Sequence, residues 1–176
     1  MKKKFFIVIS MLMVLAALCV ISNGFPIIIN NNKEVFPDIM EDSIVNPLGG
    51  LDLANGNNEI ILIFNDNDWL YLPNSIPKRK VLTCSNNEIL RIIQNKFEFR
   101  RLNADISTVS SEIIVVNNNH IVLKTGFAID SDKVVIQNEK TGCLCSLRPY
   151  ELCELFSSFQ PCDKVVLLIN NIQPFN

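Results

Sequence analysis

An α+β fold, a mainly antiparallel sheet with two helices packed on one face, is what this chain of 176 residues predicts, on three observations. Short apolar or β-rich runs recur at residues 59–64, 112–116, 120–124, 133–137 and 164–170, each with the makeup of a strand. Asn117-Asn118-Asn119 joins two of them as a tight hairpin loop would, asparagine being the residue after glycine that best tolerates positive φ. Two further stretches have helical character, and helices gathered on one face of such a sheet make an α+β layer structure.

The amino end comes first. Met1-Lys2-Lys3-Lys4 precedes an apolar run from Phe5 to Ile21 in which Ser10 is the only hydroxylated residue, the layout of a Sec-type export signal. About 15 apolar residues suit a cleaved signal and about 20 a spanning helix. Two fates therefore stay open for residues 1–24: cleavage after the small residues Ser22 or Gly24, or retention as a signal anchor. Lysines on the amino side of the run keep that end in the cytoplasm and send the rest across, so either fate gives the same topology. Acylation at Cys19 is disfavoured by Leu18, which stands where a small residue is wanted.

Residues 25–58 are rich in Pro, Gly, Asn and acids, with only short apolar clusters such as Ile27-Ile28-Ile29, and read as an irregular acidic stalk or wrap. Residues 59–176 are expected to form a single α+β ectodomain. Glu59–Phe64 has the look of a buried strand, Trp69–Leu72 of its hairpin partner and Lys78–Thr83 of a third strand. Past Ser85, apolar residues at Ile89, Leu90, Ile92, Ile93, Phe97 and Leu102 share one helical face, and Ser85 with Glu88 has the form of a capping box. A strand at Lys133–Gln137, a short helix over Pro149–Phe159 with Pro149 in its first turn, and a last strand at Lys164–Asn170 complete the reading.

Setting aside Lys2, Lys3 and Lys4 leaves 13 basic against 18 acidic residues, a net charge of −5, and the signs are segregated. Lys78, Arg79, Lys80, Arg100 and Arg101 fall in a basic stretch and form a candidate docking patch for an anionic surface. Nucleic acid is a poor partner for a protein outside the cytoplasm, and no aromatics interleave with these cations as a stacking platform needs. Asparagine is over-used, at Asn30–Asn32 and Asn117–Asn119 above all, beside much isoleucine and lysine, a bias of AT-rich coding rather than a structural signal. No Asn is followed two places later by Ser or Thr, so no N-glycosylation site exists.

Cysteines are the candidates for chemistry. Cys84, Cys143, Cys145, Cys153 and Cys162 lie in a part expected to meet an oxidising compartment, and four of them crowd around the last helix, which reads as a helix tied down by disulfides. A bridge between Cys143 and Cys145 would be strained, so these are expected to reach Cys153, Cys162 or Cys84. Five is an odd number, and the pairing stays open. Intervals of one, seven and eight residues do not suit zinc knuckles. Cys84 before a capped helix has a rival reading, a thiol lowered in pKa by the helix amino end, as in an exported thiol-redox enzyme of thioredoxin-like fold; no Cys-x-x-Cys accompanies it. The one histidine, His120, lies in the expected hairpin and leaves no catalytic triad. Asp66-Asn67-Asp68 and Asp130-Ser131-Asp132 lack the ligand series of a calcium loop. No cofactor is expected.

The leading apolar segment, the size of the mature part and the stretch Thr141-Gly142-Cys143-Leu144-Cys145-Ser146-Leu147-Arg148-Pro149-Tyr150-Glu151-Leu152-Cys153 together resemble the small, nineteen-kilodalton per os infectivity factor family of baculoviruses and nudiviruses. The resemblance implies a membrane-anchored envelope component acting in a hetero-complex with other envelope proteins, without catalysis and with the apolar segment retained. Without it, the reading is an exported or membrane-anchored interaction protein, with a bacterial cell-envelope binding protein as the alternative source.

Overall fold

The computed structural model describes residues 2–22, 34–37, 44–65, 68–101 and 109–162, with side chains of the first helix described from Phe5 to Leu18. Three helices and eight strands follow in the order α1 (Lys2–Ser22), β1 (Asn58–Ile63), β2 (Val81–Cys84), α2 (Asn87–Lys96), β3 (Phe99–Arg101), β4 (Glu112–Asn117), β5 (His120–Ile129), β6 (Val134–Asn138), β7 (Gly142–Ser146), α3 (Pro149–Phe156) and β8 (Gln160–Pro161). The strands form one sheet in the order β3-β7-β6-β5-β4-β1-β2-β8, and every pairing is antiparallel. The expected α+β class is what is found.

Period-two alternation sorts the strand residues between two faces. Ile60 and Leu62, Leu82, Ile113 and Val115, Leu123 and Phe127, Val134 and Ile136, and Leu144 point to the face that α2 and α3 cover, where they join Leu90, Ile93, Leu152 and Phe156 in the main core. Ile61, Ile63, Val81 and Ile114 point the other way and form a smaller cluster with Cys162. An aromatic chain crosses the main core: Phe64 to Phe127 at 6.4 Å between centroids, Phe127 to Phe156 at 5.7 Å and Phe156 to Phe159 at 5.3 Å, the last two edge to face. Edge-to-face geometry sets the positive ring edge against the negative face.

Local chemistry decides the element ends. The cap of α2 is Asn86, not Ser85: its Oδ1 accepts from the backbone N–H of Glu88 (2.9 Å) and Ile89 (3.4 Å). The helical period ran on to Leu102, but the helix stops at Lys96, because Phe97 leaves helical geometry at φ −81° and ψ 54° and Phe99 then turns into the core as the first residue of an edge strand. The β4–β5 turn is as expected, with Asn118 and Asn119 at φ 50° and 67°. Trp69–Leu72 is not the partner strand of β1. Its start lies in a 3₁₀ turn over Asp68–Leu70, and β1 pairs instead with β2 and β4. The expected strand 164–170 lies outside the described residues.

Of the two forms open to residues 25–58, a stalk or a wrap, the described part from 44 onward is a wrap. Leu48 and Leu53 are fully buried in the main core. Gln94 on α2 holds this segment: its Nε2 donates to the carbonyls of Leu48 (2.9 Å) and Leu51, and its backbone carbonyl accepts from Asn46 Nδ2 at 2.6 Å. Val45 pairs with Phe99 along the outer edge of β3, both bonds 2.8 Å, and Val35 pairs with Lys124 where β5 runs past the end of β6. Backbone groups that an open edge would present to other chains are thereby used.

The asparagines, read above as a coding bias, carry structure. Asn117 Nδ2 donates to Asn58 Oδ1 (2.7 Å) and the Asp52 carbonyl (2.9 Å), Asn58 Nδ2 to the Asn55 carbonyl (2.7 Å), and Asn138 Oδ1 accepts from the N–H of Lys140 and Thr141 (both 2.9 Å). At Asn58 and Asn138 the short amide reaches groups two or three residues away and closes a turn, whereas Asn117 ties the β4–β5 hairpin to the wrap.

Candidate functional site

The five cysteines do not form the expected tie, and no disulfide is found among the described residues. Strand alternation and place in the sheet keep most of them apart. Cys84 and Cys153 lie in the main core on the helix-covered face, Cys162 lies in the cluster on the opposite face, and Cys143 and Cys145 flank Leu144, which faces the main core, so both sit on the opposite side of the sheet. A bridge from Cys143 or Cys145 to Cys153 or Cys84 would have to pass through the sheet, while Cys162, on their own side, follows β8 at the far edge, six strand steps from β7; Cys84 and Cys153 share a face and are both free. Packing docks α3 instead, through Leu152, Cys153 and Phe156, with Lys96–Glu151 and Arg148–Glu98 ion pairs at the rim.

Cys84 also departs from the nucleophile pattern. It is buried at 7% exposure, and burial pushes its thiol above the ordinary value, with the Glu59 carboxylate adding to the rise and the N–H of Asn86 opposing it. The shift runs opposite to the one a thiolate nucleophile needs. Burial likewise raises Cys153, which Asp130 raises further, and Cys143. Thiols raised in the fold stabilise it fully below the unfolded thiol value, and that contribution is lost as pH climbs through the folded values. The urea midpoint is expected to stay level from about pH 6 to 8 and to fall above about pH 9. In a variant carrying Cys84→Ala and Cys153→Ala the fall should shrink; an equally steep fall in that variant would assign it to other groups.

The basic residues part company. Lys78, Arg79 and Lys80 precede β2 at the seventh position of the sheet, whereas Arg100 and Arg101 lie on β3 at the first. Six strand steps separate them, a path of roughly 29 Å along the sheet. One docking patch built from all five is therefore corrected to two separate groups: the sequence brings 80 and 100 near, but α2 carries the chain across the sheet between them.

The first group belongs to the connection between β1 and β2, described at residues 64, 65 and 68–80. Polar contacts from Asn65, Asp68 and Lys78 pin it. Asp68 Oδ2 accepts from the hydroxyls of Ser111 (2.7 Å) and Ser110 (3.1 Å), and the Asn65 N–H donates to Ser111 Oγ at 3.1 Å. Lys78 Nζ folds back to donate to the carbonyls of Leu70 (3.0 Å) and Leu72. The 3₁₀ turn closes with the Tyr71 N–H on the Asp68 carbonyl at 3.0 Å, and Leu72 and Ile76 anchor the loop in the core at 3% and 1% exposure. Held this way, Leu70 and Tyr71 stand in water at 47% and 80% exposure, above a cleft of about 300 Å³ lined by Phe64, Asp68, Tyr71, Leu72, Ser111 and Phe127. Sequence reading missed the Asp68–Ser110–Ser111 clamp, which joins residues more than 40 apart and has no local signature.

Among the described residues no group of three or more His, Cys, Asp or Glu side chains is placed to hold a metal ion. Asp130-Ser131-Asp132 closes a turn, the Asp130 N–H donating to the Lys133 carbonyl at 2.8 Å; Asp66 and Asn67 lie outside the described residues.

The apolar amino end is a single helix. Its large apolar side chains between Phe5 and Leu18 are all exposed, from 41% at Ile9 to 77% at Phe6. Across the described residues, no helix is long and apolar enough to cross a membrane. The side chains described on α1 span fourteen residues, roughly 21 Å of helix, while the apolar run in the sequence continues to Ile21.

No family model matches the chain, and no curated protein or solved structure matches it.

Proposed function

We propose that the chain is a membrane-anchored interaction protein whose folded domain works on the non-cytoplasmic side, with the amino-terminal helix as its anchor. The observation that carries the proposal is α1: an apolar helix with every described side chain exposed has no protein core to enter, and an apolar solvent is its natural surrounding. From Phe5 to Ile21 it offers 17 apolar or small residues, at the short end of the roughly 17 to 25 that span a bilayer. The three lysines before it orient it with the domain outside. The burial of Cys84, which raises its thiol, counts against the thiol-redox alternative.

On the resemblance carried by residues 141–153, the partners are other envelope proteins, and the setting is a virion envelope complex used in oral infection. Expression in membranes followed by alkaline carbonate extraction tests the anchor. The expected result is a chain that stays in the pellet and retains Lys2 to Lys4 by mass. A soluble product starting near Asn23 or Phe25 would overturn the anchor and leave an exported protein. For the partners, detergent extraction from the native membrane should yield the chain in stoichiometric association with other envelope proteins, and a lone monomer would refute the complex.

A further inference from the structure

The loop that joins β1 to β2 puts apolar side chains in water and holds them there. Leu70 and Tyr71 form its tip, at 47% and 80% exposure, and half-buried Trp69 beside them packs against the core. A flexible loop could fold such residues back; this one is fastened by Asp68 to Ser110 and Ser111 and by Lys78 to the carbonyls of Leu70 and Leu72. A contact surface ordered in advance loses little freedom when it binds. Its base carries Arg79 and Lys80, both exposed, whereas Lys78 spends its ammonium inside the loop. An aromatic and aliphatic tip with Arg and Lys behind it is the composition that sits at the headgroup level of a bilayer: rings in the interface, cations on anionic lipid.

Chain length puts that surface within reach. Only residues 23–33 separate α1 from Glu34, which adjoins the Val35 that pairs with β5, so the tether extends at most roughly 40 Å. We propose that Leu70 and Tyr71, with Arg79 and Lys80, seat the domain on the anionic phospholipid surface of the membrane that holds α1. The proposal rests on the anchored reading above and adds to it a second, headgroup-level contact that orients the domain against the bilayer.

The chain has one tryptophan, Trp69, half-buried beside this tip, so its fluorescence reports on lipid that reaches its neighbours. The full chain is reconstituted into phosphatidylcholine vesicles with or without phosphatidylserine, using lipids brominated on the acyl chain near the headgroup as quenchers. Trp69 emission should fall with brominated lipid when phosphatidylserine is present and recover at high salt. Replacing Arg79 and Lys80 by Gln should lower the docked-to-free ratio roughly 30-fold, and Leu70→Ser with Tyr71→Ser should abolish quenching while the circular dichroism spectrum is kept. If the chain resists carbonate extraction and Trp69 is nevertheless untouched by brominated lipid, the contact is refuted and the anchor stands. Emission that answers only to an added partner protein assigns the tip to protein docking and also refutes it. A chain stripped from the vesicles by carbonate removes the anchor and this inference together.

Discussion

Phe127→Ala is expected to cost about 3 to 5 kcal/mol, the range for truncating a fully buried phenylalanine. Small domains have only about 5 to 15 kcal/mol in total, so this one change would consume a large part of the stability. Phe127 is fully buried on β5 and stands between two rings, Phe64 on one side and Phe156 on the other, at 6.4 and 5.7 Å. It is thus the side chain through which α3 and the end of β1 share a core. Its backbone also counts: the Phe127 N–H donates to the Ser111 carbonyl at 2.7 Å, which ties that strand to the start of β4. Phe127→Leu, which keeps much of the volume and loses the edge-to-face contact, should cost about 1.5 kcal/mol or less. Urea unfolding of the full chain in detergent, followed by circular dichroism, measures both. A loss below about 1 kcal/mol for the alanine variant would mean that the aromatic chain is not the centre of the core.

Gly56→Val should be the next most damaging. Gly56 has φ +89°, in the region that β-branched residues almost never occupy, and a Cβ there would also run into the side-chain amide of Asn118. The contact matters because the Asn118 N–H donates to the Asn57 carbonyl at 2.8 Å, where the wrap meets the β4–β5 turn. Strain of this kind is worth about 1 to 3 kcal/mol, and the collision adds to it. The two parts are separable. In an Asn118→Gly background the collision vanishes and the backbone strain remains, so the cost of Gly56→Val should drop without reaching zero. An unchanged cost would mean that the amide simply swings aside and φ alone accounts for the loss.

Local order was legible. The hairpin at Asn117–Asn119, the start of α3 at Pro149 and the apolar face of α2 each follow from a handful of neighbouring residues, whose steric and hydrogen-bonding preferences act within a turn or two. Where reading failed, the cause was a competing contact from far along the chain. Phe97 and Phe99 fit a helical face, yet Val45 and β7 draw Phe99 into a strand. Trp69–Leu72 has strand composition, but β1 finds its second partner in β4, some fifty residues later. Asn117 looked like coding bias because its partners, Asn58 and Asp52, are not neighbours in sequence.

The cysteines draw the boundary most clearly. Their number and spacing are properties of the chain alone, and so are its apolar leader, its charge segregation and its α+β class, since each depends on residues read singly or in short windows. Which thiols could meet depended on strand parity and strand order: one residue's difference in register sends a side chain to the opposite face of the sheet, and both register and order are set by pairings across the whole fold. The basic residues divided because α2 carries the chain from β2 across the sheet to β3, and the tip at Leu70 and Tyr71 is held because Asp68 finds Ser110 and Ser111 just ahead of β4, the strand that β1 joins.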